Sequence, residues 1–132
     1  IAAEFTCRLV KNRQPLPAIL LGSNLSTLSA ISNDYSFEEI FVREYESLVT
    51  KKDILIAIST SGESQNIYKL LKYAVNKNYA HWCLTTSRNS RCFRLSRTIC
   101  TPEEIKSTAN IQEMHIAIGH LICMLTEVYF FE

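Results

Sequence analysis

Residues 53–66 carry side chains that could bind an anion. An acid and an apolar run ending at Ile58 are followed by a turn that we call the hydroxyl turn, with one glycine (Gly62) among four hydroxyl residues: Ser59, Thr60, Ser61 and Ser64. The apolar run is typical of a strand buried on both faces of a parallel sheet, and residues at helical spacing follow from Ile67. Unpaired backbone N–H groups at a helix start carry partial positive charge. Together with the hydroxyl donors they favour phosphate as the anion.

A simpler interpretation of this segment stays open. It could be an ordinary strand, loop and helix in which Ser64 is the N-cap residue. Four hydroxyls within six residues are, however, more than capping requires. The segment has neither the GxxxxGK[ST] pattern of a nucleotide P-loop nor the GxGxxG of a dinucleotide site. The sequence therefore predicts phosphate binding without a nucleotide cofactor.

Polar residues within apolar helices indicate acid–base chemistry. Glu4 lies in an apolar helical stretch, where it is either a solvated charge or a general base whose pKa is raised by burial. Gln112, His115 and His120 interrupt a helix that is otherwise fit for burial, and buried polar groups are costly unless paired. A lone helical histidine is more often a satisfied imidazole, but histidine can also transfer a proton near neutral pH.

Three more charged residues have two interpretations each. Asp34 lies in the turn between two predicted helices, where it either caps the chain or contacts a substrate hydroxyl. Arg8 and Arg13 either neutralise a phosphate or belong to the plain surface.

Alternating strands and helices must position these side chains. The pattern predicts strands at 17–21, 53–58, 80–85 and 98–101, helices at 1–10, 25–32, 36–48, 64–77 and 105–130, and a helical turn at 91–95. Ser36 and Glu39 form a predicted capping box. Such alternation is typical of an α/β layer fold with a parallel sheet. Ligands in such folds bind at the carboxyl ends of the strands, where the hydroxyl turn lies.

The composition limits the classes of protein to which the chain can belong. The chain has 132 residues, 47% apolar and 20% charged, with a net charge of +1, which is typical of one globular domain and argues against a nucleic-acid surface. No apolar run approaches the roughly 20 residues that span a bilayer. Five scattered cysteines without CxxC spacing favour reduced thiols in a cytoplasm. Because the chain begins at Ile1 inside a predicted helix, we expect the native protein to extend upstream.

The predicted closing helix indicates a second subunit. It is apolar on more than one face, and it ends in the aromatic residues Tyr129, Phe130 and Phe131. A helix that is apolar nearly all round is buried, which in a small domain suggests burial against another copy of the chain.

The sequence resembles the sugar isomerase (SIS) domain superfamily and, within it, the phosphoheptose isomerases. The resemblance runs through nearly the whole chain, and its most specific segments are Asn33–Phe37, Asp53–Asn66 and Ile111–His115 with His120. It implies a three-layer α/β sandwich, in which helices flank a flavodoxin-like parallel sheet of five strands, and a homotetramer with active sites between subunits. Residues 1–132 would form a single SIS domain lacking its N-terminal helix, first strand and first phosphate loop.

The resemblance also implies roles for individual residues. The family's catalytic glutamate falls on Glu4 and its catalytic histidine on His120, while its sugar-phosphate loop falls on the hydroxyl turn. Two further substrate contacts fall on Asp34 and Gln112. Some members bind zinc, and three of the four ligand positions are present as Glu4, Gln112 and His120; the fourth, a histidine, would precede Ile1. Glu63 stands where the family usually has asparagine, and we expect it to point away from the phosphate.

The geometry of a helix adds one expectation about the site. Gln112 and His120 are eight residues apart, which is ~12 Å along a helix. One chain would struggle to bring both to a small site, so we expect a site shared between subunits.

The implied function is aldose–ketose isomerisation. Sedoheptulose 7-phosphate would be converted to D-glycero-D-manno-heptose 7-phosphate through an enediol(ate), for lipopolysaccharide or capsule synthesis in a Gram-negative cytoplasm. The main alternative is a non-catalytic SIS protein, either a sugar-phosphate sensor or an adaptor of the DnaA replication initiator. A second alternative is an isomerase of arabinose 5-phosphate or a hexose 6-phosphate. Glu4 and His120 together favour an enzyme over the adaptor, which resembles the chain but lacks both.

Overall fold

A computed structural model describes residues 1–100 and 105–131. Helices flank a parallel three-stranded sheet with the strand order β1-β2-β3. The helices are α1 (Ala2–Thr6), α2 (Leu25–Asp34), α3 (Ile40–Leu48), α4 (Gln65–Asn76) and α5 (Thr108–Phe131), and the strands are β1 (Ile54–Ile58), β2 (Ala80–Thr85) and β3 (Arg97–Cys100). Short 3-10 turns span Phe37–Glu39 and Phe93–Leu95. The α/β class with a parallel sheet is confirmed, and the predicted strand end at Thr101 lies outside the described residues.

The sheet brings the ends of β1 and β2 together. Ile54 pairs with Ala80 and Ile58 with Leu84, so both strands end at the same edge. Beyond the strands, the Ser59 N–H donates to the Leu84 carbonyl at 3.0 Å. The hydroxyl turn therefore lies at the carboxyl edge of the sheet, where the sequence placed it.

The core lies between the sheet and α4. Leu70, Leu71 and Ala74 of α4 are buried in one cluster with Leu55 and Ala57 of β1. These two β1 residues alternate along the strand and so point to the same face. Burial of each leucine side chain in this cluster is worth roughly 1.5–3 kcal/mol.

The opposite face of β1 is open within the described residues. Ile54 is 60% exposed and Ile58 is 40% exposed. The prediction that this strand is buried on both faces was therefore wrong for the described part of the chain. An apolar run predicts that both faces are fit for burial, but it does not say which segment covers the second face.

The predicted strand at residues 17–21 was wrong. The segment pairs with no described strand, and Ile19 and Leu20 are exposed. Pro15 and Pro17 lack the N–H donors that a ladder requires. The segment ends at Gly22, which has a φ of +79° and donates its N–H to the Glu44 carboxylate at 2.6 Å.

The predicted capping box was also wrong. The Ser36 side chain makes no cap hydrogen bond. The Glu39 carboxylate accepts instead from Lys69 Nζ at 2.7 Å, which ties the start of α3 to α4. A cross-helix ion pair has replaced the local contact that the spacing predicted.

A buried ion pair fixes α1 against α5. Arg13 Nε donates to the Glu127 carboxylate at 2.8 Å, and both side chains are 2% exposed. The same carboxylate accepts the backbone N–H groups of Leu9, Val10 and Lys11 at 3.0–3.2 Å. The other guanidinium nitrogens of Arg13 donate to the carbonyls at the end of α1, at Glu4 (2.7 Å) and Phe5 (2.9 Å). Arg13 is therefore a structural residue, and both sequence interpretations of it were wrong.

Helix α5 buries one stripe only. The buried residues recur every four positions along α5: Ile111, His115, Gly119, Cys123 and Glu127. The last three lie against the start of the chain or the loop that follows α1. Apolar side chains such as Leu125 and Tyr129 are exposed on the other faces. By length and composition alone, α5 is long and apolar enough to cross a membrane. Core helices of other proteins pass the same test, so this is only weak evidence against the expectation that no apolar run spans a bilayer.

Candidate functional site

The hydroxyl turn is held by its own side chains. Ser59 Oγ accepts the Gly62 N–H at 3.1 Å and lies 3.2 Å from Ser64 Oγ. Ser64 occupies the N-cap position of α4, but its side chain makes no cap hydrogen bond. The hydroxyls of Ser59 and Ser64 therefore face one another across the turn instead of serving the helix. This arrangement supports the anion-site interpretation over simple capping.

Gly62 is required by the shape of this turn. Its φ is +68°, in the left-handed region that side chains rarely adopt. A Cβ at this position would meet the Ser90 side chain, and it would lie 2.7 Å from Thr85 Oγ1. Thr85 at the end of β2 and Ser90 after it thus pack closely against the turn.

A Gly62→Ala variant should weaken phosphate binding by about 10-fold or more, because the turn must move to relieve these contacts. Titration of the protein with inorganic phosphate by calorimetry measures the effect. Gly22→Ala is the matched control, since Gly22 has a φ of +79° but does not belong to the turn. It should lower the melting temperature and leave the affinity for phosphate unchanged. Equal phosphate affinity in the Gly62 variant and the wild type would contradict the prediction.

A cavity of about 560 Å³ separates the turn from α5. On one side it is lined by Ile58, Ser59, Thr60 and Ser64, and on the other by three residues of α5: Gln112, His115 and Ile116. Hydroxyl donors thus face an amide and an imidazole across a space that could admit a phosphate group. The structure brings the predicted residues Ser59, Thr60, Ser64 and Gln112 together.

A second concavity of about 540 Å³ continues along α5. It is lined by one face of the helix: Ala109, Gln112, Glu113, Ile116, Ala117 and His120. Gln112 and Ile116 line both spaces, so the two adjoin along α5 between the hydroxyl turn and His120. A single chain presents Gln112 and His120 to one concavity, because residues 112, 116 and 120 lie along one side of the helix. The expectation of a site shared between subunits stays a prediction.

Glu4 is held on α1 beside α5 and lines neither cavity. Its helix packs on α5 where the Ile1 side chain lies against Gly119. Burial raises the pKa of the Cys123 thiol, and the nearby Glu4 carboxylate also raises it, which places Glu4 beside the next turn of α5. Glu4 therefore lies near the part of α5 that carries His120, and its catalytic role stays a prediction.

Three other predicted residues lie outside the two cavities. Asp34 is exposed at the end of α2, where its carboxylate accepts from Asn33 Nδ2 at 2.9 Å. Arg8 is exposed after α1, and the exposed Ser61 accepts the Glu63 N–H at 3.2 Å. Their substrate contacts stay predictions.

The Glu63 carboxylate points away from the cavity. It accepts the Arg91 N–H at 2.9 Å, and Glu63 is not among the residues that line the cavity between the turn and α5. The negative charge that replaces the family's asparagine is thus held on the residues that follow β2. This placement agrees with the expectation for Glu63.

Among the described residues, no three His, Cys, Asp or Glu side chains lie close enough together to hold a metal ion. The predicted zinc ligands in this chain are Glu4, Gln112 and His120. Only Glu4 and His120 belong to these four residue types, since Gln112 offers an amide. Zinc stays a prediction, and the proton transfers proposed below use protein side chains.

His115 also lines the cavity, although the sequence analysis assigns it no role in the site. Its ring is only 3% exposed and lies opposite the hydroxyl turn. The available signal was its position three residues after Gln112, which places both on one face of the helix.

Comparison with known proteins identifies the domain family first and then the group of proteins within it. A family model described as the SIS domain matches residues 9–126. A phosphoheptose isomerase of Thermodesulfovibrio yellowstonii is 38% identical over 100% of this chain and 65% of its own length. One of Nitratiruptor sp. is 41% identical over 98% of this chain and 69% of its own length. This chain thus spans about two thirds of the length of these relatives.

Solved structures agree with the sequence comparison. A phosphoheptose isomerase structure from Francisella tularensis has a TM-score of 0.80 and 29% identity, covering 92% of this chain and 65% of the other. One from Neisseria gonorrhoeae has a TM-score of 0.81 and 30% identity, covering 96% and 67%. The chain belongs to the SIS domain family and, within it, to the phosphoheptose isomerase group. The resemblance stated from the residues is confirmed.

Proposed function

We propose that the protein is an aldose–ketose isomerase that converts sedoheptulose 7-phosphate to D-glycero-D-manno-heptose 7-phosphate. The observation that carries the proposal is the cavity between the hydroxyl turn and α5, which adjoins the concavity that holds His120. Its donors suit a phosphate ester, and the adjoining concavity provides an imidazole for proton transfer. Membership of the phosphoheptose isomerase group supports the choice of a heptose substrate.

The hydroxyl turn would bind the phosphate at one end of the sugar. Ser59, Thr60 and Ser64 present hydroxyls to the cavity, and the N-terminus of α4 adds partial positive charge. This contact lies away from the reacting carbons, and such remote binding can orient C1 and C2 for reaction. Gln112 would position the sugar between the turn and His120.

Proton transfer would then proceed through an enediol. Glu4 takes the proton from C1, the C1–H electron pair forms the C1=C2 double bond, and His120 protonates the oxygen on C2. In the second half His120 takes the proton of the C1 hydroxyl, so that C1 becomes the carbonyl. The electron pair of the double bond accepts the proton from Glu4 at C2. Both side chains return to their starting states.

The exposed face of α5 supports a homotetramer with sites between subunits. The apolar side chains on this face include Leu121, Met124, Leu125, Val128 and Phe130. In an assembly they would be covered, and a neighbouring subunit could complete the space around His120. Light scattering of the purified protein measures this assembly. Cytoplasmic location is supported by four cysteines that form no disulfide among the described residues: Cys7, Cys83, Cys92 and Cys123.

Direct assay of the full protein tests the proposed function. Sedoheptulose 7-phosphate, fructose 6-phosphate and arabinose 5-phosphate are incubated separately with the protein, with and without a chelator, and the products are followed by NMR. We expect conversion of the heptose phosphate above all, and loss of conversion with the chelator would support the predicted zinc. Preference for another sugar would favour the second alternative. Phosphate binding without any turnover would favour a sensor or adaptor.

A further inference from the structure

His115 is a buried polar side chain without a described partner. Its exposure is 3%, and neither ring nitrogen has a hydrogen-bond partner among the described residues. Most buried polar atoms in folded proteins are hydrogen-bonded, and an unsatisfied one is destabilising. An unsatisfied imidazole beside a cavity therefore points to a ligand that supplies the missing bond.

The cavity identifies the chemistry of that ligand. His115 lies across it from Ser59, Thr60 and Ser64. Burial lowers the pKa of His115, so the neutral ring has one N–H donor and one acceptor nitrogen at pH 7. A phosphate oxygen at the turn can accept the N–H, and a turn hydroxyl can donate to the other nitrogen.

We propose that His115 is a substrate-binding residue that donates a ring N–H to the phosphate group held by the hydroxyl turn. The inference rests on the proposed function only for the identity of the sugar that carries this phosphate. Helix α5 would then contribute to the phosphate site together with the hydroxyl turn. The phosphate would then link β1 and α4 on one side to α5 on the other.

Two variants separate binding from folding. His115→Phe removes both ring nitrogens and keeps an aromatic ring, while His115→Gln retains a donor near the position of Nε2. We expect the affinity for inorganic phosphate and for sedoheptulose 7-phosphate to fall by about 10-fold or more in His115→Phe, because the hydrogen bond is to a charged group. His115→Gln should recover most of this affinity. KM should rise more than kcat falls, and the melting temperature should not decrease.

His81→Phe is the matched control. Both nitrogens of His81 lie within hydrogen-bond distance of backbone carbonyls, those of Tyr79 (2.7 Å) and Leu95 (3.0 Å). This variant should lower the melting temperature and leave phosphate affinity unchanged. Unchanged phosphate affinity in His115→Phe would overturn the inference, as would a lower melting temperature without a change in KM. If phosphate affinity falls in His115→Phe but the wild type turns over no sugar phosphate, the inference stands and the isomerase proposal fails.

Discussion

A Glu4→Gln variant is expected to bind sedoheptulose 7-phosphate almost as well as the wild type, while kcat falls by about 10²–10⁴-fold. The glutamine is nearly isosteric but cannot accept the C1 proton, and general base catalysis is typically worth this factor. The phosphate contacts lie at the hydroxyl turn and are not changed by the substitution. Calorimetric titration and a product assay on the same preparation separate the two effects.

Glu63→Gln is the control for this experiment. Glu63 adjoins Gly62 in the turn, but its carboxylate is engaged by the Arg91 N–H, so turnover should stay within a few-fold of the wild type. A Glu4→Gln variant with wild-type kcat would show that Glu4 is not the base. The isomerase proposal would then need another proton acceptor near α5.

Replacement of Glu127 by leucine is expected to lower the melting temperature by about 10 °C or more. The substitution leaves the buried Arg13 guanidinium and three backbone N–H groups without their acceptor. Loss of one partner of a buried ion pair is strongly destabilising, and small domains shift by several degrees for each kcal/mol. Thermal unfolding followed by circular dichroism measures the change.

Lys69→Met provides the comparison for Glu127→Leu. Lys69 pairs with Glu38 and Glu39 at 2.8 Å and 2.7 Å, but this ion pair lies partly in solvent. Such surface pairs contribute little, so the melting temperature should change by no more than about 2 °C. If the melting temperatures of both variants fell by the same small amount, the Arg13–Glu127 pair would not be what fixes α1 against α5.

The same carboxylate predicts a loss of stability in acid. Hydrogen bonds from the Leu9 N–H above all, and from Lys11, Val10 and Arg13, lower the pKa of Glu127 from 4.5 to about 2, although burial acts in the other direction. Because the folded state holds the charged form, this contribution is fully present above about pH 4.5 and is lost as the pH falls through about 2. Wild-type protein should therefore lose stability over this range more steeply than Glu127→Gln. If the stability of the two proteins fell equally steeply with decreasing pH, the prediction would be contradicted.

The sequence predicted β1, β2, α4 and the turn between β1 and α4 because local patterns determine them. The apolar runs that form β1 and β2 are separated by an amphipathic segment that can only be a helix. The hydroxyl turn was found for the same reason, since its residues are contiguous. At residues 17–21 a similar apolar composition misled the prediction, because a strand also requires a partner that no local pattern reveals.

Long-range contacts account for what the sequence could not show. Arg13 and Glu127 are 114 residues apart, and nothing in either local sequence links them. His115 was noticed as a polar interruption of an apolar helix, but its place opposite the turn depends on how α5 packs.

Isomerisation in D2O tests the central claim most directly. The claim is that a sugar phosphate held at the hydroxyl turn exchanges a proton between C1 and C2 through side chains near α5. Sedoheptulose 7-phosphate is incubated with the full protein in D2O, and both sugars are followed by NMR. The account predicts an aldoheptose 7-phosphate that carries deuterium at C2 to the extent that Glu4 exchanges the proton with solvent before returning it, and the substrate's own C1 hydrogen otherwise. Failure to form any aldose would contradict it.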